Sequence, residues 1–399
     1  MMNFKLHKLD YYILLWVAYH IGLYFRISGS AIFLFITLVW SFYDMVRLFY
    51  LQRKKSKFLI IYTVFFLMLF FYGMLLAIDN EALYSVHGRV DNTQYIIGIT
   101  ASLIPFYTFY RGVIERRIEL GRVFYWIVPF FAVALFDYYL QFQMALQAVF
   151  GDIEYSEDVI NGGSYVILGL MPFICLSKKR IMHVLLFAVC FYFIIIAFKR
   201  GPILIFLICM IYYLFRSTGI SNKKIGTTLL VVAASLIGYL FFSDFFAGSD
   251  LLQERWEDTI EGSSSGRDNI IALIFDSFLN SNIIQLLFGH GAYGSLVLTK
   301  HLAHNDWIQI LIDQGIVGFI INGLLCWQLI RQWRLSDDNC NAQLSFGMFV
   351  IIYLLTSMVS MAFDRIPLYE MAVLAMVVAH NDIKTSFDCG RGRPRSHSH

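Results

Sequence analysis

Long apolar runs alternate with short polar breaks along most of this chain. The runs at 58–78, 93–110, 123–140, 181–198, 202–215, 227–243, 309–330 and 344–363 approach or reach the roughly 20 residues that a helix needs to cross a hydrocarbon core. Weaker apolar segments lie near both ends of the chain. The pattern predicts spans near 11–26, 31–49, 58–78, 93–110, 123–145, 163–176, 181–198, 202–216, 227–243, 309–330, 344–363 and 369–381. A membrane β-barrel would show short segments of alternating polarity instead. The expected fold class is an all-α polytopic membrane protein of about 12 transmembrane helices. Residues 1–243 then hold nine spans, 244–308 form one long loop, 309–381 hold the last three spans, and 382–399 are a tail.

The long loop has a pattern of its own. Leu252, Trp256 and Ile260 fall on one face of a helix over 250–260. Over 263–281, serines suited to a helix N-cap precede Ile270–Ile271, Ile274–Phe275 and Phe278–Leu279. That spacing is the stripe of an amphipathic helix. It predicts a helical cap over the membrane, with its stripe against lipid or against the bundle. No internal repeat of the kind common in transporters is visible.

Composition and charge add sidedness. Hydrophobic residues make up 58% of the chain and charged residues 15%, with a mean hydropathy of +0.64. A soluble domain carries about 25% charged residues. The net charge of +3 says little, because membrane proteins gather their cations in cytoplasmic loops. Arg53, Lys54, Lys55 and Lys57, then Arg111, Arg116, Arg117 and Arg122, then Lys178, Lys179 and Arg180 occupy alternate breaks. Arg216, Lys223, Lys224, Arg331, Arg334 and the tail continue the series. These breaks and both termini are expected in the cytoplasm, and 244–308 on the exported side. The opposite breaks hold Asp79, Glu81, Asp152, Glu154, Glu157 and Asp158. Arg26, Arg89, Lys199, Arg200, Arg255, Arg267, Lys300 and Arg365 stand against the rule, so each invites a functional role or an ion pair. No small-residue cleavage site follows the apolar segment 11–25, which reads as the first span and not as a removable signal. The six cysteines lie in expected spans or on the cytoplasmic side, where no disulfide framework is expected.

Candidate chemistry collects on the exported face. His301, His304, Asn305 and Asp306 lie just before the tenth span. Asn305 and Asp306 suit its N-cap, and the helix dipole there disfavours a protonated His304. A neutral imidazole in that place is a reasonable general base; a capping turn with an interfacial histidine is the plainer alternative. Gly315 and Gly318 follow at a spacing that puts small residues near one helix face, where helices pack closely. Lys199 and Arg200 precede Gly201 and Pro202 at the start of the eighth span. Two cations at a helix N-terminus suit a phosphate or carboxylate, or snorkel to lipid headgroups. Gly266 and Arg267 open the amphipathic loop helix, where Arg267 offers a second anion contact or a surface pair with Asp268 or Glu261. Arg365 completes a polar ring or a turn salt bridge with Asp364. Asp137 and Asp313 fall inside spans and must be paired or face a cavity. His301 and His304 find no convincing third metal ligand, so no metal site is expected, and no nucleotide-binding loop is present.

Together these residues resemble a known signature. His301-x-x-His304-Asn305-Asp306 with Gly315-x-x-Gly318, Arg200-Gly201 at the end of a span, Ser265-Gly266-Arg267, and Phe288-Gly289-His290-Gly291 stand in this order. The set is similar to that of the O-antigen ligase and O-antigen polymerase superfamily, over roughly 165–330. Lys199 departs from the small polar residue common before the arginine. The resemblance implies a GT-C-like, metal-independent, inverting glycosyltransferase of the bacterial inner membrane that needs no cofactor. Its donor would be a glycan on undecaprenyl pyrophosphate. By position Arg200 and Arg267 would grip the pyrophosphate, and His304 would activate the acceptor hydroxyl. Lys199, His301, Asn305, Asp306, Gly266 and Arg365 would line the substrate. The implied partners are the bilayer, the lipid-linked glycan, a chain-length regulator and a flippase, with no nucleic acid. His304-Asn305-Asp306-Trp307 followed by Ile308-Gln309-Ile310-Leu311 looks more like polymerase members than like ligases that load lipid A core. A transporter or non-catalytic assembly partner is the reading from another class, and it predicts polar residues along a path through the bilayer midplane.

Overall fold

The computed structural model describes residues 6–51, 56–74, 92–115, 118–150, 163–196, 200–217, 267–299, 302–336, 340–360 and 366–390. Within them the regular structure is helical. The helices are α1 (Lys8–Tyr24), α2 (Ala31–Leu51), α3 (Lys57–Met74), α4 (Asn92–Leu103), α5 (Pro105–Ile114), a 3-10 turn (Leu120–Trp126) and α6 (Ile127–Phe150). Then come α7 (Gly163–Leu168), α8 (Leu170–Ile174), α9 (Arg180–Ile196) and α10 (Arg200–Ser217). The loop contributes α11 (Arg267–Leu279), α12 (Ile283–Phe288) and α13 (Gly294–Thr299), and the chain closes with α14 (Asp306–Leu335), α15 (Cys340–Val359) and α16 (Leu368–Gly390).

Among the described residues, five helical segments are long and apolar enough to cross a membrane: Ala31–Tyr50, Lys57–Met74, Tyr95–Ile114, Asp306–Leu335 and Asn341–Val359. Shorter apolar helices cover Phe124–Tyr139, Gly163–Ile174, Arg180–Ile195 and Gly201–Ser217. The expected span at 227–243 and the expected helix at 250–260 lie outside the described residues. The segment read as one span at 93–110 is broken at Ile104, because Pro105 begins a new helix at its N1 position. Proline cannot donate its N–H to the preceding turn and is well suited to N1.

The centre of the bundle is aromatic and tightly filled. Every residue of α16 from Met371 to Ala379 is buried, as expected of a helix apolar on all faces. It packs against α5, whose Phe106, Tyr107, Phe109 and Tyr110 are buried. Hydroxyls tie the layers together: Tyr62 donates to Leu103 O at 2.7 Å, and Tyr107 donates to Thr63 Oγ1 at 2.9 Å. Tyr12 and Thr108 both meet the hydroxyl of Ser41, at 2.8 and 2.9 Å.

Arg111 is not the loop cation that its place in the basic series implies. It lies inside α5, only 4% exposed. Its Nη1 pairs with Asp44 Oδ1 of α2, its Nε donates to Glu115 Oε2 at 2.7 Å, and the ring of Tyr43 lies 5.6 Å away. The acid that holds it is 67 positions earlier in the chain. Asp137, another charge in an apolar run, meets His20 Nδ1 at 3.5 Å.

The helices give the bundle two unlike ends. At one, Asn341 Nδ2 donates to Ser177 O, Tyr110 donates to Asp382, and Tyr212 donates to Gln343 O. These bonds gather the breaks that carry the basic residues. At the other, α3 ends, α10 and α14 begin, and α15 ends.

Replacing Arg111 with Ala strands Asp44 in the bundle, and breaking a buried pair in this way costs about 3–5 kcal/mol. Thermal unfolding of the detergent-solubilised protein is expected to show a clear drop in midpoint, and an unchanged midpoint would remove the pair from the account of the fold.

Candidate active site at the start of α14

The sequence places Asn305 where the chain turns into α14, and the structure shows why an asparagine serves there. Its Oδ1 accepts from Trp307 N at 3.0 Å and from Ile308 N at 3.2 Å, which satisfies the free N–H groups of the first turn. Its Nδ2 donates to Met358 O at 3.0 Å, tying the turn to the last residues of α15. Trp307 Nε1 adds a bond to Ser357 Oγ at 3.2 Å. Asp306 follows as the first helical residue and is fully buried.

His304 precedes this cap with φ of +47°. Few non-glycine residues adopt the left-handed region, and those that do are held there by their surroundings. Here the surroundings are a relay of buried polar groups. Gln309 Oε1 accepts from Ala303 N at 3.2 Å and from Ser295 Oγ at 2.8 Å. Gln309 Nε2 donates to Asp313 Oδ1 at 2.8 Å, and Asp313 Oδ2 accepts from Tyr293 N at 3.1 Å. The carboxylate of Asp313 thus meets the N-terminal end of α13, and Gln309 carries that anchorage to the residue beside His304. Asp313 is the span acid that had to be paired. Its partners are the Gln309 amide and backbone 20 positions upstream.

Two residues beyond Asp313, α14 breaks. Gly315 has φ +65° and ψ −165°, outside helical values. The two carbonyls before it turn toward the Phe288–Gly291 turn: His290 N donates to Ile312 O and Gly291 N to Asp313 O, both at 2.9 Å. The approach is so close that a Cβ on Gly315 would sit 2.5 Å from Leu287 O and 2.6 Å from Gly289 N. A Cβ on Gly289, itself at φ +78°, would collide with the Asp313 carbonyl. Tyr72, at the end of α3, donates to Phe288 O beside the break. His290 Nε2 lies 2.7 Å from Ser281 Oγ, and burial holds its pKa below the ordinary histidine value, which favours the neutral ring. The expectation that Gly315 and Gly318 form a helix-packing face is corrected for Gly315. It is a point of chain crossing, because a segment with φ > 0 cannot continue the helical face.

The other expected site residues fall into two groups. α10 begins at Arg200, and α11 begins at Arg267. The Cβ position of Gly201 lies 3.5 Å from Val359 Cγ2, next to the Met358 carbonyl that Asn305 grips. The start of α10 and the His304 turn therefore meet the same end of α15. α11 lays Ile274 and Phe278 against Ala303 and Ile312, with Ile270 and Ile308 beside them. Ile270, Ile274 and Phe278 of its stripe thus face the bundle, while Phe275 and Leu279 stay exposed. Lys199, His301, Gly266 and Arg365 lie outside the described residues. Gln309, which sequence reasoning passed over, is the residue the structure adds. Its signal was its place one turn before Asp313 on the same face.

Residues 185–323 match a family model described as O-antigen ligase (Wzy_C). That stretch holds α10, the loop helices, the His304 turn and the break at Gly315. No curated protein matches the chain.

Two outcomes check this geometry. Asn305→Ala removes both the N-cap and the tie to α15, and loss of such a cap costs about 0.5–2 kcal/mol; the thermal midpoint in detergent is expected to fall modestly. Gly315→Ala meets both a collision and a left-handed backbone, so little folded protein is expected by size-exclusion chromatography. A normally eluting, normally stable Gly315→Ala protein would contradict the interlock.

Proposed function

Starting from a chain that, through residues 185–323, belongs to the O-antigen ligase and polymerase superfamily, we propose that it polymerises lipid-linked oligosaccharide repeat units. The donor in this reading is a glycan on undecaprenyl pyrophosphate, and the product is an O-antigen or related surface polysaccharide. The reaction takes place on the periplasmic side of the inner membrane. The observation that carries it is the meeting of two helix starts, at Arg200 and at the His304 turn, on one end of α15.

The chemistry follows from the residue types. An acceptor hydroxyl attacks the anomeric carbon of the donor sugar from the face opposite the diphosphate. The bond from that carbon to the phosphate oxygen breaks, which inverts the centre and releases undecaprenyl pyrophosphate. His304 takes the hydroxyl proton, a task suited to a neutral imidazole held at a helix N-terminus. Arg200 and Arg267 hold the diphosphate and stabilise the charge that grows on it as it leaves. Free N–H groups at the start of α10 add to that grip. Lys199, His301, Asn305, Asp306, Gly266 and Arg365 border the substrate. No metal or cofactor is needed, because the lipid pyrophosphate is already an activated leaving group. A flippase would deliver the donor, and a chain-length regulator would act on the product.

A ligase that moves the finished glycan to lipid A core is the second reading, and the description of the matching family favours it. Acceptor choice separates the two. Purified protein in liposomes, supplied with lipid-linked repeats alone, is expected to build longer lipid-linked chains. Product only when a core acceptor is added would establish the ligase instead.

In the same assay His304→Ala is expected to lower turnover by about 100- to 10,000-fold, the usual worth of a general base, in protein that still inserts and elutes normally. Arg200→Ala should be comparably damaging. Arg267→Lys keeps the charge but loses the planar fork, so it should also impair transfer. Full activity in His304→Ala would end the catalytic reading of that residue.

A further inference from the structure

We propose that α12, with the end of α11, is an in-plane membrane anchor whose apolar face is covered by lipid acyl chains next to the break in α14. This inference rests on the helical spans and not on the transferase reading.

α12 has the sequence Ile283-Ile284-Gln285-Leu286-Leu287-Phe288, and none of its residues is buried. Ile283 and Ile284 are 73% and 67% exposed, Leu287 and Phe288 40% and 52%, and the preceding Leu279 63%. Water would be a costly neighbour for five large apolar side chains on so short a segment. They are also not at a free loop tip. The turn that follows α12 is locked by backbone hydrogen bonds into the break at Gly315, so the depth of α12 is fixed by α14.

That depth is set by two helices. α14 has 30 residues, about 45 Å at 1.5 Å per residue, which exceeds the roughly 30 Å of hydrocarbon. The part after Gly315, residues 316–335, is the length of one crossing. α3, an 18-residue span candidate, ends at the same level, because Tyr72 donates to Phe288 O. Both helices thus put the edge of the hydrocarbon beside α12. The apolar surface is continuous there: Phe71 and Met74 of α3 are 57% and 54% exposed, and Ile316 and Ile320 of α14 42% and 55%. α12 prolongs the lipid-facing surface of two spanning helices, which identifies lipid as its occupant. The capping box between Asn282 and Gln285 satisfies the N–H groups of both residues, which lowers the cost of setting this first turn beside an apolar layer. The His304 turn then stands about 14 Å beyond the break along α14, outside the hydrocarbon and toward the headgroups.

The test uses the full-length protein in phosphatidylethanolamine–phosphatidylglycerol liposomes. A benzophenone amino acid replaces Ile284, or Ile283 in a second variant, with Ile320 as a lipid-facing reference and the exposed Asp276 as the comparison on the loop. After irradiation, intact mass is expected to rise by one phospholipid at positions 284 and 283, as at 320, and not at 276. A doubled-mass product would show that a second copy covers the face and would overturn the proposal. No adduct at 283 or 284, with a lipid adduct at 320, would show a water-facing segment and overturn it as well.

Discussion

The crossing of two backbones at Gly315 is the constraint on which the rest of the site depends. A spanning helix stops hydrogen-bonding to itself for one turn and hands the carbonyls of Ile312 and Asp313 to the N–H groups of His290 and Gly291. Buried carbonyls must find donors, so the break and the inserted turn exist only together. Side chains are excluded from the contact on both sides, which leaves glycine as the fitting residue at 289 and 315. Once the crossing is made, the loop helices can no longer slide along α14. Asp313 then reaches the start of α13, Gln309 reaches Ala303, and the chain has little choice but to turn at His304 with a left-handed backbone.

The arrangement separates two jobs usually in conflict. A membrane bundle gains stability from close apolar packing, and here α5 and α16 supply it with aromatic and aliphatic side chains. The proposed transfer site needs polar groups held rigidly beside water. The chain keeps a buried polar relay at the end of the bundle, through Ser295, Gln309 and Asp313, while the Arg111–Asp44 pair serves the opposite end. Polar side chains do continue down α14 at Asn322, Gln328 and Gln332. Gln332 is bound by Asn381 Nδ2 at 2.9 Å, which is the bonding expected of helix packing. The basic breaks and the His304 turn occupy opposite ends of the same helices, the arrangement that charge asymmetry along the chain implies.

Much of this was legible in the residues. Apolar runs announced the helices, and Asn305 before an apolar stretch announced its cap, while the break at Pro105 lay inside a run read as one span. The motif around His304 pointed to the stretch that the family match covers. What the sequence hid were relations across distance. Arg111 looks like one more loop cation until Asp44, on another helix, is brought against it. Gly315 looks like a packing glycine because a 3.6-residue period reports faces and not the point where a helix stops. Asp313 demanded a partner, and besides Gln309 it has the backbone N–H of Tyr293, which carries no signature in side-chain identity. Gln309 was unremarkable among span residues until its amide was seen to link Asp313 with the residue before His304. The stripe of α11 left lipid and bundle equally open, and the structure divides it: Ile270, Ile274 and Phe278 pack with Ala303 and Ile312, while Phe275 and Leu279 stay exposed.

The most direct test of the central claim is an experimental structure of the protein in lipid nanodiscs with a non-transferable undecaprenyl diphosphate glycan analogue. The account predicts the diphosphate at the start of α10, within reach of Arg200 and Arg267, with the anomeric carbon facing His304. A diphosphate bound at the end that carries the basic breaks, or one bound with His304 on the far side of the bundle, would contradict it.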